Sequence, residues 1–168
     1  VAQDPGWIGE MLQHSQQAEV GAVGARLFYP GGHPQHEGVA IGAAGVFALH
    51  LDWRGYLALG AVVRDVAAVT AACMMTSREA WARAGGFDET LTVAYNDVDY
   101  CLRLRDAGYR VVYTPHARLT HLESASRGKL HPLDDAEVAR QRWGDPRLVT
   151  DPFYNKLLDE FLRPYAAP

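Results

Sequence analysis

Cysteine is scarce in this 168-residue chain: there are two, Cys73 and Cys101, each in an apolar setting with no CxxC or CxxH spacing nearby. That argues against a disulfide-stapled scaffold or a structural zinc site. Two reduced core thiols are expected, with one structural disulfide as the alternative. Long apolar runs are missing too. No stretch of about eighteen apolar residues occurs and no signal peptide opens the chain, so no transmembrane segment is expected. Basic charge is in short supply, with 16 Lys and Arg against 20 Asp and Glu, a net charge of −4 and no basic stripe. A nucleic-acid partner is therefore excluded. With 48% hydrophobic and 21% charged residues, the chain has the composition of one globular domain with a real core. It begins at Val1 rather than Met, as an excised domain would.

Local signals divide the chain. Asp4 and Pro5 predict a helix start, with Trp7, Ile8, Met11 and Leu12 as its buried face. Val20 to Tyr29 reads as a buried strand stopped by Pro30-Gly31-Gly32, and Gly21 and Gly24 within it suggest close packing by another backbone. His33, Gln35, His36 and Glu37 cluster in the loop that follows. Val39 to Gly60 is rich in Gly and Ala and reads as a mobile loop with short strands at its ends. Its aromatics, Phe47, Trp53 and Tyr56, either stack on the rings of a ligand or anchor the loop. Arg64 to Ser77 reads as a strand pair or one long buried strand, and Arg78 to Ala84 as a helix ended by Gly85-Gly86, returning Phe87 to the core. Arg110 to Thr114 is a strand closed by Pro115; His121 lies beyond it, sharing a face with Ala117 and Leu119. A last helix spans about Asp134 to Trp143, before a Pro-punctuated tail.

The segment VAYNDVDYCLRLR, Val93 to Arg105, carries the most chemistry. An Asn followed by an alternating pair of carboxylates and a 3.6-period apolar run marks a helix start, with Asn96 as N-cap and Asp97 and Asp99 in the first turn. The positive end of the helix favours such carboxylates. Asp99 and Arg103 stand four apart and can pair, leaving Asp97 free. Upstream lies GGFDE (Gly85 to Glu89); downstream come AGYRVVYTP (Ala107 to Pro115), LTHLESASRG (Leu119 to Gly128), RWG (Arg142 to Gly144) and DPFYN (Asp151 to Asn155).

In that order and spacing these segments resemble the second half of the catalytic domain of family 2 glycosyltransferases, inverting enzymes of the GT-A fold, and most closely the bacterial members that build O-antigen and related surface polysaccharides. The resemblance implies an α/β fold: a partial GT-A domain with a mixed sheet and flanking helices, lacking the nucleotide-binding half. Residues 1–128 would be the acceptor-side half, and 129–168 a helix and tail packed on it. Asp97 stands at the family's general base. Gln35 and His36 stand where the family has a Gln-His-x-Gly stretch near the cleft, which makes them substrate contacts, and Asp99 is counted with them. The polar loop of Glu123, Ser124, Ser126 and Arg127 suits phosphate or sugar hydroxyls, with Arg127 able to grip a pyrophosphate in two places. His121 stands where the family has a histidine that can complete the metal site. Family members carry T-G-A-C where this chain has Thr70-Ala71-Ala72-Cys73, so an added methyl there bears on the donor sugar.

What the resemblance implies for the whole protein is a nucleotide-sugar donor, a saccharide or lipid-linked saccharide acceptor, and Mn²⁺ or Mg²⁺ as cofactor. The setting would be the cytoplasm or the inner face of the membrane. No Asp-x-Asp metal motif precedes the Asp4 helix, so the chain alone is expected to be inactive and to hold no cofactor. Removing half of a sheet would leave an open edge, for which a homodimer is the simplest cover. Two other readings remain: a non-catalytic saccharide-binding or assembly module with the same fold, and a metal-dependent hydrolase using Asp97, Asp99 and His121.

Overall fold

A computed structural model describes residues 1–43, 48–51, 56–92, 94–122, 133–145 and 150–159. Its centre is a pair of parallel strands, β1 (Val20–Phe28) and β7 (Arg110–Thr120). β2 (Pro34–His36) and β6 (Met74–Thr76) both run antiparallel to β1 on its far side, and β5 (Arg64–Asp65) runs antiparallel to β7. A separate hairpin joins β3 (Val39–Ile41) to β4 (Ala48–His50). Among the described residues four α-helices flank this mixed sheet: α1 (Trp7–Ser15), α2 (Arg78–Ala84), α3 (Asn96–Asp106) and α4 (Leu133–Trp143). The expected mixed α/β class is what the chain adopts.

Side-chain alternation along β1 divides the core. Val20, Val23, Ala25 and Leu27 pack with Met11 of α1 and with Val112 and Ala117 of β7. Ala22 belongs to the other body, with Val66 to Val69, Tyr100, Cys101 and Leu104 of α3, and Val111 and Tyr113 of β7. The side chains that press on β1 need its glycines. A Cβ at Gly21 would come within 2.8 Å of the Tyr109 Cβ, and one at Gly24 would overlap Val69. The expected close neighbours exist, but they are side chains rather than a second backbone. Gly24→Ala is expected to lower stability by about 1–3 kcal/mol through overpacking. Gly9→Ala, in an open stretch of α1 with nothing within 4 Å, is expected to gain up to about 1 kcal/mol from helix propensity. Urea midpoints at unchanged slope would read both; equal midpoints for the two variants would show that Val69 yields.

Several expected details differ. α1 begins at Trp7, after an Asp4 carboxylate that accepts the Gly6 amide at 2.7 Å. It buries Met11 and Ser15 while Ile8 and Leu12 stay 53% and 43% exposed, because only the stripe at 7, 11 and 15 meets the sheet. β7 does not stop at Pro115. Pairing with β1 runs to Ala25↔Thr114, then jumps to Arg26↔Arg118, so Pro115 sits in a bulge where it owes β1 no amide. Phe87 is 38% exposed, set edge-on against Trp81 and Tyr100 instead of in the core. The stretch 64–77 holds two short strands, β5 and β6, that pair with β7 and β1 rather than with each other, with a 3₁₀ turn at Ala71–Cys73 between them.

Among the described residues the outer side of β7 is not an open edge. β7 is covered at one end by β5 and the Val66 amide, and at the other by Val1 to Gln3, whose backbone bonds with Arg118 and Thr120. Pro115, with no amide to offer, stands between them. Cys73 and Cys101 are free thiols, as expected. Burial pushes the Cys101 thiol up to about 12.

Candidate active site

The α3 N-terminus forms where the chain turns sharply. Tyr95, not Asn96, is the N-cap, with φ 64° and ψ −1°, a left-handed conformation that costs a non-glycine residue about 1 kcal/mol or more. What holds it is a long-range anchor. The buried Asp135 of α4 accepts the amides of Thr92 and Ala94 at 3.2 and 2.7 Å and the Thr92 hydroxyl at 3.2 Å. In sequence Asp135 is one more acid at the start of a helix, and nothing local marks this partnership.

Asp97 lies half-buried in the first turn. Its Oδ1 accepts the Val98 amide at 2.8 Å and its Oδ2 the Ala71 amide at 2.9 Å. Ala71 belongs to a strap, residues 66–73, that crosses between β5 and β6. Val66 to Val69 are buried, and the Ala68 carbonyl receives the Val39 amide at 2.8 Å. Thr70 then caps the 3₁₀ turn, its Oγ1 accepting the Ala72 amide at 3.3 Å. Ala71 has no positive φ, so its backbone carries the methyl without strain.

Asp99, expected beside the substrate, has another job. It is 1% exposed, and Oδ2 takes Nε of Arg103 at 2.8 Å, so the i, i+4 pair forms. Oδ1 takes a guanidinium nitrogen of Arg142 at 2.7 Å and the Trp143 indole at 2.9 Å. Arg142 also reaches Asp88 at 2.7 Å, while Arg103 donates to the carbonyls of Ala84 and Gly86. One buried carboxylate thus ties α2, the GGFDE turn, α3 and α4 together, leaving it no surface for a sugar. Hydrogen bonds from the Thr90 hydroxyl and amide, then from Arg142, hold the Asp88 carboxyl well below its usual range.

The Gln-His pair on β2 splits. Gln35 Oε1 stands 2.9 Å from Nδ1 of His121, just past β7, and both residues are partly exposed. His36 is 1% exposed, its Nδ1 3.1 Å from Nδ1 of His50 and its Nε2 facing the Thr70 amide at 3.4 Å. Burial first, then His50 and Arg64, lower its pKa well below 6.5. His36 is therefore enclosed behind the strap and is not a surface for substrate. Beside it Glu37, also 1% exposed, pairs with Arg26. Glu123, Ser124, Ser126 and Arg127 lie outside the described residues, as do Phe47 and Trp53. The described residues hold no group of three or more His, Cys, Asp or Glu placed to bind a metal ion. His121 offers one imidazole, which is short of a site. A cavity of about 420 Å³ lined by Ser15, Thr76, Ser77 and Tyr109 contains none of the candidate residues.

Asp97 is thus a half-buried carboxylate at a helix N-terminus, braced by the strap and set beside a buried ionic knot. The family described as "Glycosyltransferase like family 2" matches residues 1–145. The chain belongs to this family. It is 41% identical over 164 residues to the uncharacterized protein y4gI of Sinorhizobium fredii, covering 90% of this chain and 18% of that protein. It is 40% identical over 166 residues to the O-antigen biosynthesis protein RfbC of Myxococcus xanthus, covering 90% and 12%. A stretch of 66 residues is 36% identical to the N-acetylglucosaminyl-diphospho-decaprenol L-rhamnosyltransferase of Mycobacterium tuberculosis, 39% of this chain and 22% of that one. This family 2 chain thus spans less than a fifth of the length of the first two relatives. Among its described residues no helix is long and apolar enough to cross a membrane.

Proposed function

We propose that this chain is the acceptor-side part of an inverting GT-A glycosyltransferase acting in bacterial surface-polysaccharide synthesis, with Asp97 as general base. The observation that carries the reading is the state of that carboxylate: half-exposed, at the helix N-terminus, and fixed by one amide on each oxygen. Each oxygen keeps a second lone pair. One of them can take the proton of an acceptor hydroxyl while the hydroxyl oxygen attacks the anomeric carbon. The new C–O bond forms as the bond to the nucleoside diphosphate breaks on the opposite face. The leaving group departs with that electron pair, and the anomeric configuration inverts. The names of the Myxococcus and Mycobacterium relatives support a saccharide product of the envelope type.

Neutralising the diphosphate is work for a divalent cation, Mn²⁺ or Mg²⁺, in the complete enzyme. His121, whose Nδ1 is engaged by Gln35, would offer it an imidazole. The test is the stereochemistry of transfer by a protein that carries this chain, using a panel of nucleotide sugars. Proton NMR of the first-formed product is expected to show the anomer opposite to the donor's, and retention would overturn the mechanism.

A further inference from the structure

We propose that the enclosed imidazole of His36 is a positioning residue for Asp97, acting through the strap. The proposal rests on the reading of Asp97 as the base. Three successive amides of the strap, those of Thr70, Ala71 and Ala72, each point at a side-chain acceptor: Nε2 of His36, Oδ2 of Asp97 and Oγ1 of Thr70. The middle bond orients the base. The two outer bonds fix the peptide planes on either side of it, and planar peptides leave the Ala71 N–H little freedom once its neighbours are held. Thr70 Oγ1 braces the turn from within. His36 braces it from the hairpin side, where it is itself packed against His50 of β4.

An imidazole can do this only in one form. Facing an N–H, Nε2 must be the unprotonated nitrogen, which puts the ring proton on Nδ1, toward Nδ1 of His50. The surroundings favour that neutral ring: it is buried, and the neighbouring His50 and the Arg64 guanidinium both disfavour a further positive charge. Glu37, the adjacent buried carboxylate, is paired with Arg26. Being 1% exposed, His36 touches no substrate, so its effect on the reaction runs through the strap alone.

Asparagine and glutamine separate the two ring nitrogens, since the Asn amide overlays the Nδ1 position and the Gln carbonyl reaches the Nε2 position. The chain itself serves for spectroscopy. In the wild type, long-range ¹H–¹⁵N correlations are expected to show His36 protonated at Nδ1; an Nε2–H ring would leave the Thr70 amide without its acceptor and overturn the proposal. The Ala71 amide proton, bonded to a carboxylate, is expected downfield, and Asp97→Asn gives its reference shift without that charge. His36→Gln is expected to keep the wild-type Ala71 shift, and His36→Asn to move it toward the Asp97→Asn value. In a transfer-active protein that carries this chain, His36→Asn is expected to lower kcat about 10- to 100-fold with little change in KM, as misplacement of a base does. His36→Gln should restore most of it. Asn and Gln variants alike in both Ala71 shift and kcat would overturn the proposal. If Asp97→Asn leaves transfer intact, the base assignment falls, while the ring tautomer and the Ala71 shift still judge His36.

Discussion

Asp97→Asn in a transfer-active protein carrying this chain is expected to cut turnover about 10²- to 10⁴-fold, the usual cost of losing a positioned base. The amide has nearly the shape of the carboxylate, so its oxygen can still accept the Ala71 amide that now lies 2.9 Å from Oδ2. It cannot take up a proton from an acceptor hydroxyl. Stability is expected to stay within about 0.5 kcal/mol of the parent, because Asp97 is partly exposed and belongs to no ion pair among those described. The measurement is kcat with saturating donor and acceptor, alongside a urea melt. Turnover within a few-fold of the parent would remove Asp97 from the role.

The same chemical change two residues later is expected to do the opposite. Asp99→Asn removes the charge that Arg103 and Arg142 share from a site that is 1% exposed, and replaces one acceptor oxygen with a donor. Facing two guanidinium groups and an indole N–H, the amide meets at least one donor with a donor. Hydrogen bonds to charged groups contribute about 1.5–3 kcal/mol each, and breaking a buried ion pair costs about 3–5 kcal/mol. Both arginines are partly solvated, with side chains 24% and 34% exposed, so the loss is expected near the low end, about 2–3 kcal/mol. Urea denaturation of the two Asn variants side by side reads the contrast. An Asp99→Asn midpoint equal to that of Asp97→Asn would show that the α3 to α4 knot contributes little. Residual activity in Asp99→Asn should track the folded fraction, since its effect is on packing.

Whatever depends on neighbours within a turn or two was legible in the chain itself. Helical periodicity sets the Asp99 to Arg103 pair and the first-turn place of Asp97. The apolar run makes β1, and Gly85 at φ 79° ends α2 with the left-handed cap that glycine permits. The ordered motifs indicated the family, because motif order survives where pair contacts cannot be read. Partner choice across the fold was not legible. Asp99 finds Arg142 and Trp143 more than forty positions away, Asp135 finds Thr92 and Ala94, and the Thr70 amide finds His36. Each of these side chains looks locally like an ordinary first-turn acid or loop histidine, and its bonds exist only where α4, the hairpin and the strap close on α3. The same holds for Ile8, Leu12 and Phe87, apolar by type yet partly exposed because the faces that met were other ones. It holds too for Pro115, a strand breaker by rule, which β7 tolerates because the register with β1 shifts around it. Periodicity fixes which residues share a face, but only tertiary packing decides what that face meets and so whether a carboxylate stays partly open to solvent, as Asp97 does, or is locked away, as Asp99 is.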